Sequence, residues 1–110
     1  MNANYEDLLK KLKENGISKA KMNQPNALMV FEPHRVALTL TFYKNNWYLI
    51  TWSPRVYKIP SQDRVLALCL SFNSPTSHSV TLLYDTIDKF SLILVDDGEI
   101  DEILDWAFEE

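Results

Sequence analysis

Apolar and polar side chains alternate from Val36 to Tyr43, with Val36, Leu38, Leu40 and Phe42 set against Ala37, Thr39, Thr41 and Tyr43. A period of two is the pattern of a β-strand with one buried face. Asn45-Asn46 supplies a turn signal, and all of residues 47–52, WYLITW, are aromatic or aliphatic except Thr51. Such side chains favour a pleated, half-buried surface. Residues 36–52 therefore predict a β-hairpin around which the rest of the chain is arranged. Two registers are open. A two-residue Asn45-Asn46 loop sets Phe42 opposite Leu49 and Tyr43 opposite Tyr48. A three-residue Lys44-Asn45-Asn46 loop sets Phe42 opposite Tyr48 and flips the second strand. The second is preferred, because it gathers Phe42, Tyr48, Ile50 and Trp52 on the face of Val36, Leu38 and Leu40 and leaves the milder set on the other. In either register large apolar groups point both ways, so one face needs cover and the other needs partial cover or a partner.

Elsewhere the period is helical. Tyr5, Leu8, Leu9 and Leu12 follow the i, i+3, i+4, i+7 spacing over residues 3–15, and Gly16 is a C-cap signal. Residues 17–26 are polar and read as loop; residues 27–31 read as a first strand, and the Pro33 segment as the turn into the hairpin. Residues 55–59 suggest a short edge strand. Ser61 is an N-cap candidate for a helix carrying Val65, Leu68, Cys69 and Phe72 inward, with Leu66 and Leu70 widening the stripe. Because Leu66, Leu68 and Leu70 also alternate, a strand is the rival reading of residues 65–72. Val80, Leu83, Tyr84 and Ile87 are again at helical spacing, residues 91–95 (SLILV) read as a short buried strand, and residues 99–108 as a last helix with Ile100, Ile103, Leu104 and Ala107 inward. The order predicts a single α+β domain over residues 1–110. Its antiparallel sheet has about four to five strands around the central hairpin, with the N-terminal, middle and C-terminal helices packed on one face.

Charge changes the picture. Residues 1–64 hold ten Lys and Arg against five Asp and Glu, a net of +5, and residues 65–110 hold one against ten, a net of −9. The overall −4 thus hides a polarity along the chain. From Asp96 to Glu110 there are eight acids and no base. Asp97 and Glu99 suit a helix N-terminus, but Asp101, Glu102, Asp105, Glu109 and Glu110 run on toward the C-terminus, where the helix dipole disfavours anions.

The residues that do chemistry are sparse. His34 and His78 are the only histidines, and neither adjoins a nucleophile motif or an acid at telling spacing. Cys69 lies on an apolar stripe, where a thiol acts as a small hydrophobe. One Cys and two distant His give no zinc spacing. The Asp96-Asp97-Gly98-Glu99 run fails as a calcium loop, because Ile93, Val95 and Leu104 fall where oxygen ligands belong. Neither catalytic nor metal or cofactor-binding residues are therefore assigned, and no cofactor is expected. Only two glycines occur, which leaves no phosphate loop. The lone Cys69 and the lack of a signal peptide or an 18-residue apolar run point to the cytoplasm and away from a membrane.

Trp47-Tyr48-Leu49-Ile50, followed by Arg55, Lys58, Ile59 and Arg64-Val65, resembles the central strands of the WYL domain, a small β-barrel ligand-sensing module of bacterial transcription regulators. The resemblance spans Trp47 to Val65 and implies a barrel, and no ligand-binding residue is carried across from it.

These features together lead us to expect a small non-catalytic protein that binds another protein, as an inhibitor, an immunity protein or a secretion-chaperone-like adaptor does. The expected face is the acidic C-terminal helix, with Asp97, Asp101, Glu102 and Asp105, and with Trp106 as an aromatic anchor. The alternative is a nucleic-acid or small-ligand-binding regulatory module that uses the basic N-terminal half and the hairpin aromatics Tyr43, Trp47, Tyr48 and Trp52. A sequence pI near 5.1 disfavours nucleic acid. A homodimer is a further expectation, should the hairpin leave an aromatic face or edge uncovered.

Overall fold

A computed structural model gives the fold and describes residues 3–31, 37–51, 54–72 and 80–109. The elements run α1 (Ala3–Glu14), β1 (Ala20–Gln24), β2 (Ala27–Phe31), β3 (Ala37–Tyr43), β4 (Asn46–Ile50), β5 (Val56–Ile59), α2 (Gln62–Phe72), α3 (Val80–Lys89), β6 (Ile93–Leu94) and α4 (Asp97–Ala107). The expected turn over residues 32–35, the helix stop at residues 73–75, and His34, Trp52 and His78 lie outside the described residues.

α1 forms where its apolar spacing asked for it, with Tyr5, Leu8 and Leu12 buried. It stops at Gly16, whose φ of +88° is open to glycine at little cost. The Ile17 amide donates to the Leu12 carbonyl at 2.8 Å and the Gly16 amide to the Lys13 carbonyl at 3.1 Å. These are the two bonds of a Schellman stop, and the buried pair Leu12 and Ile17 closes it.

The sheet has six strands in the order β1-β2-β3-β4-β5-β6, all neighbours antiparallel. β1, the strand not foreseen, lies in the polar stretch read as loop. It is an edge strand whose Ala20 and Met22 pack against the core while Lys21 and Asn23 are exposed, an alternation carried by only two apolar side chains, and it pairs with β2. β5 is interior, because β6 pairs beyond it. β6 is the true edge, and its Ile93 and Leu94 are 54% and 55% exposed, not buried as the run SLILV suggested. With β1 and β6 at opposite edges the sheet is open, and the barrel that the WYL resemblance implied does not form.

The hairpin takes neither register considered from sequence. Tyr43 pairs with Asn46, Phe42 with Trp47 and Thr41 with Tyr48, around a two-residue loop of Lys44 and Asn45. Both loop residues have left-handed backbone, with φ of 47° and 67°. That is a type I′ turn, whose twist matches the flanking strands. The preferred three-residue loop is thereby overturned. Face membership follows the other alternative, with Leu38, Leu40, Trp47 and Leu49 on one side and Thr41, Tyr48 and Ile50 on the other. Segregating bulk to one face conferred no advantage, since both faces are covered.

That double cover is the second correction. α1, α2 and α3 pack on one face over Leu28, Leu40, Trp47, Leu49 and Ile59. Among the described residues α4 is the helix that packs on the other, where Ile103 and Ala107 are buried against Tyr48, Ile50 and Val56. A β4 strand buried on both sides forces such cover, because leaving either apolar face in water would lose roughly 25 cal/mol for each Å² exposed. α2 is a helix, which decides against a strand over residues 65–72; Val65, Leu68 and Cys69 are fully buried, while Leu66 is half-buried and Leu70 exposed.

Candidate recognition face at the last helix and the hairpin tip

α4 begins immediately after β6, with Asp96 as its N-cap residue, and ends against β3 and the β1–β2 turn. Its inward face repeats the apolar spacing read from sequence: Ile103 and Ala107 are buried, and Ile100 and Leu104 pack beside them. The outward side carries Asp97, Asp101, Asp105 and Glu109, all exposed. A spacing of four aligns them into one stripe along the helix and its C-terminal extension. The exposed Lys10, Lys11 and Lys13 of α1 lie on the opposite face of the sheet, but the exposed Asp85 and Asp88 of α3 share that face, so the charge division along the chain does not become a clean division in space.

Glu102 departs from the stripe and is engaged. Its carboxylate accepts from Lys44 Nζ at 3.0 Å and from the Tyr43 hydroxyl. The Lys44 ammonium also stands 5.2 Å from the Tyr43 ring centre. The hydrogen bond from Tyr43 and then the one from Lys44 hold Glu102 below its ordinary pKa. The same Glu102 raises Lys44 and, chiefly through its hydrogen bond, Tyr43. The signs agree on one window. Glu102 helps the fold above the ordinary carboxylate range and stops helping as pH falls through its lowered pKa; Lys44 helps below the ordinary lysine range and stops as pH rises through its raised one. All three groups are exposed to solvent, which screens the pair.

Trp106, expected as a free anchor, is half-buried and pinned. Its indole Nε1 donates to the Phe42 carbonyl at 3.0 Å, its own carbonyl accepts from Asn26 Nδ2 at 3.2 Å, and its ring lies 5.5 Å from that of Tyr43. The structure therefore joins residues that sequence had divided between two surfaces. Tyr43 from one set and Glu102 and Trp106 from the other form a single patch, with Asp101 and Asp105 exposed beside it. Lys44 and Asn26 were missed; the readable signal for Lys44 was its place in a two-residue turn, and Asn26 had none.

The rest of the alternative surface does not assemble. Trp47 is only 3% exposed, edge-on to Tyr5 and Phe42. Tyr48 is buried under α4, and burial raises its hydroxyl pKa. Neither can offer a stacking platform. The cleft beside Trp47, about 250 Å³, lies among Asn4, Asn45, Asn46, Ser61 and Gln62, and no ionisable side chain lines it.

Cys69 is fully buried in α2, and desolvation pushes its thiol up to about 12. The thiolate is the reactive form. Alkylation near pH 8 should thus be negligible in the folded protein and complete in denaturant, followed by mass spectrometry; rapid labelling of the native protein would place Cys69 in a more open setting.

Among the described residues, no group of three or more His, Cys, Asp or Glu could hold a metal ion, and no helix is long and apolar enough to cross a membrane. Compared with known proteins, the chain matches no family model, no curated protein and no solved structure. The fold defines its class: an α+β domain whose open antiparallel sheet is covered on both faces.

Proposed function

We propose that this protein works by recognition, binding the basic surface of a partner protein through the outer face of α4 and the hairpin tip. The observation that carries the reading is the exposed stripe Asp97, Asp101, Asp105 and Glu109. Like charges four apart repel along a helix, and acids in the last turn oppose its dipole. Beyond Asp97, which suits the helix N-terminus, the stripe therefore works against the helix that bears it, and a role outside the fold accounts for its presence. An acidic face steers a basic partner and speeds encounter, within a screening length of about 8 Å at physiological salt. Tyr43 and Trp106 add aromatic surface beside it, of the kind that stacks with arginine. An inhibitor, an immunity protein or an escort of a secreted substrate would work this way in the cytoplasm.

The test is a short Lys- and Arg-rich peptide binding to wild type and to the triple variant Asp101→Asn, Asp105→Asn, Glu109→Gln. Affinity should fall severalfold in the variant, and in wild type as salt is raised from about 50 to about 500 mM. The melting temperature should stay level or rise, because repulsion within α4 is relieved. Equal binding by the variant, or no binding at low salt, would sink the reading.

A further inference from the structure

α1 ends on the pair Asn15-Gly16, and Asn15 is the one asparagine of the chain that a glycine follows. Glycine has no Cβ to hinder approach, so its backbone nitrogen can reach the side-chain carbon of the asparagine before it. Both residues are exposed, and a Cβ at position 16 would meet nothing within 4 Å. Crowding therefore does not protect the pair. Hydrogen bonds do. The Gly16 N–H, which would have to attack, donates to the Lys13 carbonyl at 3.1 Å, and Asn15 Nδ2, which would have to leave, donates to the Lys11 carbonyl at 2.7 Å. The Ile17 amide on the Leu12 carbonyl at 2.8 Å, with both of those side chains buried, holds this arrangement in place.

We propose that Asn15 is a modification site, a deamidation position gated by the C-terminal stop of α1. When the last turn frays, the Gly16 nitrogen attacks Asn15 Cγ. The new N–Cγ bond closes a succinimide ring, the Cγ–Nδ2 bond breaks, and Nδ2 departs as ammonia with the proton lost from Gly16. Water then adds to one of the two ring carbonyls and opens the ring to aspartate or isoaspartate. Water is the only co-reactant.

The step runs one way and weakens its own gate. Either product lacks the Nδ2 that bonds the Lys11 carbonyl. Each also sets a carboxylate just past the last turn, where the helix dipole disfavours anions, although the exposed Lys11 and Lys13 offset part of that charge. The isoaspartyl product adds a carbon to the main chain between residues 15 and 16, which moves the Gly16 and Ile17 amides off the Lys13 and Leu12 carbonyls. Leu12 and Ile17 belong to the core under α1, so a change at an exposed residue reaches the packed face of the sheet.

The experiment incubates the full chain in mildly alkaline buffer, with and without urea, and follows the peptide that holds residue 15 by mass spectrometry for the gain that amide-to-acid conversion brings. Conversion should proceed in urea and run slower in the folded protein by about tenfold or more, because the last turn must open first. Ile17→Val trims the contact that closes the stop. It should speed conversion severalfold in the folded protein and leave the rate in urea unchanged. Ile103→Val, which trims the core on the far face under α4, should leave both rates as they are. Hydrogen exchange at the Gly16 and Ile17 amides should quicken severalfold in Asn15→Asp, which carries the new charge from the start. No conversion in urea would overturn the site, and equal rates with and without urea would overturn the gate. Equal acceleration by Ile17→Val and Ile103→Val would show that opening is global and would overturn the role of the α1 stop, as would a rate that Ile17→Val does not move. Unchanged exchange in Asn15→Asp would overturn the loosening.

Discussion

Tyr5→Ala is expected to destabilise the protein by about 3–5 kcal/mol, the range for truncating a fully buried aromatic side chain. Tyr5 is 1% exposed, and its ring meets Trp47 edge-on at 5.3 Å. Its hydroxyl also works for the sheet. Phe42 faces Trp47 across β4, but on its other side β2 has already given way to the β1–β2 turn, leaving the Phe42 N–H and C=O without strand partners. Tyr5 supplies one replacement: its oxygen accepts from the Phe42 N–H at 2.8 Å, and its hydrogen is donated to the Asn26 carbonyl at 2.7 Å. Thr41 Oγ1 donates to the same carbonyl at 2.7 Å, so Tyr5→Phe would orphan only the Phe42 amide. That variant should lose about 1–3 kcal/mol. Urea unfolding would read both as lower midpoints at unchanged slope. A neutral Tyr5→Phe would show that the amide finds another acceptor.

Trp106→Ala should cost somewhat less, about 2–4 kcal/mol, because the side chain is only half-buried. It meets Phe42 from the other side of the sheet, donating to the carbonyl whose amide Tyr5 receives. Two helices on opposite faces thus converge on one residue of β3, Phe42, through its N–H and its C=O. Trp106→Phe would keep most of the ring and lose about 1 kcal/mol with the hydrogen bond. Tyr5→Phe and Trp106→Phe should couple, departing from additivity by about 0.5 kcal/mol or more, since their partners share a residue. A double-mutant cycle in urea measures this, and strict additivity would count against a shared station at Phe42. The pair also separates structure from binding: if Trp106→Phe retains affinity for a basic peptide while Trp106→Ala loses both affinity and stability, the tryptophan acts by holding α4 in place.

How far the sequence could be read depended on the kind of signal. The faces of α1 and α4, the stop at Gly16 and the apolar groups pointing both ways from β4 were all visible, because each follows from spacing along one element. The exposed acids at positions 97, 101, 105 and 109 were visible for the same reason. The meeting of Tyr43, Lys44, Glu102 and Trp106 was not, since it depends on where a helix at the end of the chain crosses a hairpin near its middle. Trp47 and Tyr48 looked available for stacking only because sequence does not say what covers a strand.

What the sequence determined by itself is therefore local: where the helices and the central strands form, which faces of α1 and α4 turn inward, and how charge is divided along the chain. Periodicity and turn chemistry act within a few residues, and they are written there. The tertiary structure decided the rest. It placed α4 on the second face, moved the hairpin turn onto Lys44 and Asn45, made a strand of polar β1, and left β6 at the edge of the sheet. Those outcomes turn on which surfaces meet across the fold, and hydrogen-bond pairing and burial between distant segments have no period along the chain.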